Sequence, residues 1–304
     1  METNILLESG TNELEILEFM VGSNYYGINV AKIKEILPYK NPTPIPNAHP
    51  CIEGIYMPRD TIITIVDLAK ALNIPGEDTR ATDMYIVTNF NKLNIAFHVN
   101  NVLGIQRVSW TEISKPDESI SNSGKGVATG ILKLGDKLIV VLDFEKIVSD
   151  ISPETGLKVS DIDALGERNR NTSPILIAED SPLLSKLIID SLHKAGYVNI
   201  IPNNNGQEAY DKLCDFRDAG TLHDKVKCII TDIEMPQMDG HHLTKLVKED
   251  KDMKDIPLII FSSLVNDEMR RKGESLGADA QLSKPEIGSL VTIIDELLEK
   301  AANK

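Results

Sequence analysis

Four short apolar runs in the second half of the chain each end on a polar residue, and they constrain the fold more than any other feature. They are ILIAED (175–180), CIITD (228–232), PLIIFSS (257–263) and DAQLSKP (279–285). Unbroken Val, Ile and Leu without alternation is how a parallel strand buried on both faces reads. Such strands form open α/β sheets, and these bind ligands at the carboxyl ends of their strands. The runs therefore predict that Glu179, Asp180, Asp232, Ser262 and Lys284 converge on one rim. Three carboxylates in one crevice repel each other unless a divalent cation holds them. A hard cation with oxygen ligands fits, Mg²⁺ above all. A lysine beside it would complete a site for a phosphoryl group.

The chain has 304 residues, enough for about two domains. Its net charge of −14 argues against a nucleic-acid partner, which needs clustered Lys and Arg. No apolar stretch approaches the ~18 residues of a membrane span. The opening METNILLESG lacks a basic segment followed by an apolar core, so it does not read as a secretory signal. A cytoplasmic location without membrane insertion is expected. Cys51, Cys214 and Cys228 show no CxxC spacing and read as idle thiols in a reducing compartment.

Composition shifts along the chain. Up to residue 150, apolar runs are short and punctuated by Pro and Gly, as in all-β modules. After residue 172, strands alternate with helical patterns, as in α/β folds. The polar stretch between suggests domains at 12–150 and 173–304 joined by a linker at 151–172, with one helical turn expected near Ile162–Leu165. In the second domain, Leu183, Leu184, Leu187, Ile188 and Leu192 are expected on one helix face after a Ser181-Pro182 start.

The first domain contains an internal echo. GIYMPRDTIITIVDLAK begins at Gly54 and GILKLGDKLIVVLDFEK at Gly130. Each copy reads as strand, tight turn, strand and the start of a short helix, with PRD (58–60) and LGD (134–136) as the turns. Asp67 and Asp143 read as helix N-caps rather than catalytic acids. The five prolines of PYKNPTPIPNAHP (38–50) demand an extended connection lying against its own domain. No catalytic set appears in this half. His49 and His98 occupy unrelated positions, and GKG (124–126) lacks the rest of a phosphate-loop pattern.

YGINVAKIKEIL (26–37), PTPIPNAHPCIEGIYMPRDTIITIVDL (42–68) and TGILKLGDKLIVVLDFEKI (129–147) resemble the CheW-like coupling domain of bacterial chemotaxis. The resemblance implies an all-β double barrel of two five-stranded, SH3-like subdomains with a groove between them. It further implies binding to chemoreceptor tips and to the chemotaxis histidine kinase, with Gly54 and Arg59 at contact positions. Asp60 stands where that family usually has Gly.

The second half resembles a response-regulator receiver domain, a (βα)5 parallel-sheet fold. Glu179-Asp180, DIEMPQMDG (232–240), Ser262 and Lys284-Pro285 carry the likeness in order and spacing. It implies that Asp232 is the phosphoacceptor, attacking a phosphohistidine to form an acyl phosphate. Glu179, Asp180, Asp232 and the backbone carbonyl of Glu234 would hold Mg²⁺. Lys284 would pair with the phosphoryl group and Ser262 donate to it, with a cis peptide before Pro285 aiming the lysine. Gln281 stands where many receivers carry a switching aromatic. Glu234 and Leu264 occupy positions that influence acyl-phosphate lifetime. Adjacent His241 and His242 point to different helix faces and do not read as metal ligands.

A coupling-like module followed by a receiver resembles the CheV family. The implied function is a non-enzymatic chemotaxis adaptor at membrane-bound receptor arrays, regulated by aspartyl phosphorylation for adaptation or as a phosphate sink. Two rivals come from other classes. A Mg²⁺-dependent aspartyl-phosphate phosphatase typically uses Asp-x-Asp, with Glu here at position 234 in place of the second Asp, and would need a substrate cap. A transcriptional response regulator would need a basic helix-turn-helix.

Overall fold

A computed structural model describes residues 12–75, 81–90, 93–114, 126–152, 168–264, 267–284 and 286–302. The chain divides into two compact units, one spanning Leu14–Thr155 and the other Gly156–Lys304 with Met1–Glu13.

The first unit holds two sheets. One is six-stranded, built from β1 (Glu13–Val21), β2 (Asn24–Asn29), β8 (Asn101–Ser109), β9 (Ile113–Ser114), β10 (Ala128–Leu134) and β11 (Lys137–Leu142) in the order β8-β1-β2-β11-β10-β9. The other contains β3 (Ile33–Pro38), β4 (Ile52–Tyr56), β5 (Ile63–Asp67), β6 (Met84–Phe90) and β7 (Leu93–Val99) in the order β3-β6-β7-β5-β4. The expectation of five strands in each is corrected by β9, a two-residue strand pairing with β10.

Alternation along the strands explains the packing. Ile63, Ile65, Tyr85 and Val87 form a core on one face of the five-stranded sheet. Ile16, Trp110, Leu132 and Ile139 do the same for the six-stranded sheet. Residues of the opposite pleat, such as Phe19, Val66, Phe97 and Leu142, meet with Phe144 in a third core drawn from both sheets.

The internal echo is structural. Both copies carry a bulge before their glycine, where register shifts between Ile52 and Gly54 and between Ala128 and Gly130. Both copies end in a short helix, α1 (Leu68–Ala71) and α2 (Phe144–Ile151). Asp67 accepts from the Lys70 N–H at 3.0 Å and Asp143 from the Lys146 N–H at 2.9 Å, so both acids are N-caps. Asp143→Ala should therefore cost the unit about 1 kcal/mol in urea unfolding, with receiver chemistry untouched.

The copies differ at the turn. Leu134 pairs directly with Lys137 across a two-residue turn, with Gly135 at φ +59°. In the first copy the ladder stops at Tyr56–Ile63, leaving a six-residue loop rather than the expected tight turn. Pro58 has no N–H to donate, and Arg59 stands at the offset of the left-handed Gly135. Asp60 does not adopt a positive φ either.

The second unit is a five-stranded parallel sheet. Its strands are β12 (Ile175–Ala178), β13 (Ile200–Asn203), β14 (Cys228–Thr231), β15 (Leu258–Ser262) and β16 (Ala280–Ser283), ordered β13-β12-β14-β15-β16. β12, β14 and β15 are buried at every residue, as the unbroken apolar runs require. Connections run through α3 (Pro182–Lys194), α4 (Gly206–Asp218), α5 (Leu222–Lys225), α6 (Gly240–Glu249) and α7 (Asp267–Ser275), and α8 (Ile287–Ala302) follows β16.

Ser181 caps α3 through the Leu184 N–H, with Pro182 in the first turn. Ile188 and Leu192 are buried, but Leu183 is 60% exposed, which corrects its placement on the core face. At 100° per residue it lies well away from Ile188. Arg168 through Thr172, assigned to the linker, pack on this unit. The Arg168 guanidinium holds Asp295 and the Ala195 carbonyl, and Asn171 bridges to Tyr197. The expected helical turn near 162–165, Pro285 with its peptide bond, and Gly124 and Lys125 lie outside the described residues.

Candidate functional site

The strand order reverses direction at β12, which lies between β13 and β14. A crevice opens at the carboxyl ends on either side of such a switch point. Register puts the acids there. Ala178 pairs with Thr231, so Glu179 and Asp232 leave the sheet side by side. Their carboxylates, with that of Asp180, offer oxygens all within 4.8 Å of one another.

Lys284 reaches the same point from β16. Its Nζ lies 2.7 Å from Asp232 Oδ2 and 3.0 Å from Glu179 Oε2. All three side chains are buried. The other Asp232 oxygen, Oδ1, accepts from the Ile233 N–H at 2.7 Å. Ser262 ends β15, and its hydroxyl oxygen accepts from the Leu264 N–H at 3.2 Å. The Lys284 N–H donates to the Ser262 carbonyl, tying the two strand ends together. Glu234 is half-buried in the loop two residues past Asp232.

Electrostatics mark the rim as over-acidic. Burial pushes the Glu179 carboxyl up to about 8, with Asp232 and Asp180 adding to the rise and Lys284 opposing it. One buried ammonium does not balance three carboxylates. The donor set is all oxygen and partly desolvated, which fits a hard divalent cation.

The loop from Asp232 to Gly240 is held by features that the sequence reading passed over. A Cβ on Gly240 would overlap the Asp232 carbonyl oxygen. One on Gly206 would lie 2.5 Å from the Met238 carbonyl. Gln237 sits in the left-handed region at φ +67°, uncommon for a residue with a Cβ. Asp239 caps α6 through the His242 N–H at 2.7 Å. His241 is buried, and its imidazole is pushed down to about 3 by burial and by nearby Lys272, so it packs as a neutral ring. The DG pair inside DIEMPQMDG was the available signal for the cap and the close approach.

In the β-unit, Gly54 is buried at φ +152°, and a Cβ there would overlap the Thr43 carbonyl. Arg59 is 80% exposed on the 57–62 loop, 3.7 Å from Glu35. Met57 and Ile62 on the same loop are each 60% exposed. His98, which the sequence places at no recognisable motif, joins Glu53 and Asp83 in an interior cluster.

Residues 15–152 match the CheW-like domain family, and residues 175–295 match the response regulator receiver domain family. Chemotaxis protein CheV3 of Helicobacter pylori is 31% identical over 305 residues, spanning 96% of each chain. The chain belongs to the CheV family. Chemotaxis protein CheW of Thermotoga maritima is 27% identical over 151 residues, which is 98% of that protein and 50% of this chain. The scaffolding protein TtCheW from Thermoanaerobacter tengcongensis superimposes with a TM-score of 0.40 at 23% identity, over 42% of this chain and 83% of its own.

As a CheV-family chain, it is a chemotaxis coupling adaptor with a phosphorylatable receiver domain. The phosphatase and transcriptional-regulator readings are not favoured. Among the described residues, no helix is long and apolar enough to cross a membrane.

Proposed function

We propose that residues 12–150 dock this chain between chemoreceptor tips and the chemotaxis histidine kinase, and that residues 173–304 receive phosphate from that kinase on Asp232. The observation that carries the reading is the placement of Lys284, within 3.0 Å of both Asp232 and Glu179 at a rim of three carboxylates. A buried ammonium beside a buried carboxylate is what an acyl phosphate needs once it forms.

The geometry supports the following roles. Asp232 Oδ2 forms the P–O bond as the kinase histidine nitrogen leaves. Oδ1 stays on the Ile233 N–H, which holds the carboxylate plane during attack. Lys284 then moves its ion pair from the carboxylate to the phosphoryl oxygens as a compact point charge. The Ser262 hydroxyl gives up its contact with the Leu264 N–H and donates to the phosphoryl group. Glu179, Asp180 and Asp232, with the backbone carbonyl of Glu234, would hold Mg²⁺. That ion would supply charge neutralisation at the phosphoryl oxygens.

Gly54 serves docking through the backbone, because its missing side chain lets the Thr43 segment lie against β4. Arg59 is the contact residue, presented with Met57 and Ile62. The location is the cytoplasmic face of receptor arrays. Joining a docking module to the phosphoacceptor favours modulation of coupling, as in adaptation, because a pure phosphate sink needs no docking module.

Co-sedimentation of the full chain with reconstituted receptor–kinase arrays tests the docking. The wild type is expected in the pellet, with Arg59→Glu weakening binding at least ~10-fold in Kd, since reversing a contact charge costs more than about 1.4 kcal/mol. A wild-type chain left in the supernatant would sink the docking role.

A further inference from the structure

Inside the five-stranded sheet, one imidazole is held between two carboxylates. His98 Nδ1 lies 2.8 Å from Glu53 Oε1, and His98 Nε2 lies 3.1 Å from Asp83 Oδ2. The Asp83 side chain is fully buried, while those of His98 and Glu53 are 13% and 16% exposed. A neutral imidazole can donate from one nitrogen alone. The other ring lone pair would then face a carboxylate lone pair across a hydrogen-bond distance. Only the imidazolium satisfies both partners, and it is the charged form that this geometry selects.

Every element packed around the ring contributes. Tyr39, just past β3, packs tilted against it at 4.7 Å between centroids, and Tyr85 of β6 meets it edge-on at 5.8 Å. The Tyr85 hydroxyl donates to the Lys40 carbonyl, and Tyr56 packs against Tyr85. From β5, Asp67 is the register partner of His98, with its own ion pair to Lys70. Cys51, just before β4, feels the charges of Asp67 and Lys70. Asn100 donates to the second Asp83 oxygen at 3.4 Å. The carboxylates outnumber the cations here. Burial alone would lower the His98 pKa, but the hydrogen bonds and charges of Glu53 and then Asp83 outweigh it, and the net direction is upward.

Glu53 is the residue through which this cluster acts. It sits in the bulge of β4, next to Gly54, and its second oxygen is buried without a hydrogen-bond partner among the described residues. β4 pairs with Thr43 through two backbone hydrogen bonds and leads into the loop that presents Met57, Arg59 and Ile62. We propose that protonated His98 is the positioning residue that seats β4 and its 57–62 loop, so that docking through this loop is proton-sensitive. This rests on the coupling role given above.

The sign follows from linkage. The folded pKa lies above the unfolded value of about 6.5, so the stabilisation is complete below that pH. It is lost as pH rises through the folded pKa. A cytoplasm turning alkaline would loosen the hairpin and weaken docking, with Asp232 chemistry unchanged.

The test uses the full chain in two parallel arms. Imidazole nitrogen NMR should show His98 titrating with a midpoint above the unfolded value of about 6.5, with Glu53→Gln moving the midpoint down. Amide exchange at Ile55, corrected for intrinsic base catalysis, should rise about tenfold across that titration and shift with it in Glu53→Gln. A His98 midpoint at or below about 6.5, or exchange at Ile55 that ignores the titration, overturns the proposal. Array co-sedimentation should fall over the same pH window and move with the Glu53→Gln midpoint. A flat profile, or a fall that does not move, overturns the link to docking. A wild-type chain that fails to pellet at every pH sinks the coupling role, while the NMR arm still decides the role of His98.

Discussion

An Asp232→Asn chain should take up no label from phosphorylated kinase, at least ~10³-fold below wild type, because a carboxamide oxygen is a poor nucleophile. The substitution is nearly isosteric. The carboxamide oxygen can still accept from the Ile233 N–H, and Lys284 keeps Glu179 as its partner at 3.0 Å. Removing one of three crowded acids also relieves repulsion at the rim. The fold should therefore survive, and urea unfolding of the receiver unit provides the control. Asp180→Asn separates nucleophile from metal. It leaves Asp232 in place, so uptake should slow at least ~10-fold and recover partly at high Mg²⁺. Label on a residue other than Asp232 in the wild type would overturn the assignment.

Gly240→Ala should be the most damaging single methyl group in the receiver. The added carbon would overlap the Asp232 carbonyl oxygen and lie 3.0 Å from Thr231 Oγ1. Both belong to the strand end that aims the phosphoacceptor, and a backbone carbonyl cannot swing away like a side-chain tip. The Gly240 N–H also donates to the Ile233 carbonyl at 2.9 Å, closing the loop. Relief requires moving α6 or the loop, and a loss of more than about 4 kcal/mol is expected. Gly220→Ala is the matched control. Gly220 sits at φ +69° with open space around it, so its cost should stay near ~1–2 kcal/mol, from the left-handed backbone alone. The β-unit transition should not move in either variant, because its cores are its own. A Gly240→Ala receiver within about 1 kcal/mol of wild type would show that the loop does not depend on this contact.

What could be read from the sequence depended on how local its cause was. Asp67 and Asp143 were legible as caps because an N-cap is decided within three residues. The rim residues were legible because each ends its own buried strand, and parallel register brings strand ends level. The tight turn expected at 58–60 failed because equal spacing hid unequal chemistry, with Pro58 and Arg59 where the second copy has Leu134 and Gly135. Leu183 failed because a hydrophobic residue in a first helical turn need not face the sheet. The Glu53–His98–Asp83 cluster was not legible at all. Its members lie 45 and 15 residues apart and meet only because β7 is inserted between β6 and β5. Gly240 carried a visible signal in the DG pair, but only the folded loop shows what the missing side chain admits.

Phosphate on Asp232 should change how this chain couples receptors to kinase. Kinase activity in reconstituted receptor–kinase arrays tests it directly, with wild type or Asp232→Asn, each with and without a small-molecule phosphodonor. Phosphodonor should shift kinase output in arrays holding the wild type and leave arrays holding Asp232→Asn unchanged, with equal amounts of both chains bound. Equal responses from the two chains, or no response from the wild type while Asp232 is demonstrably phosphorylated, would contradict it.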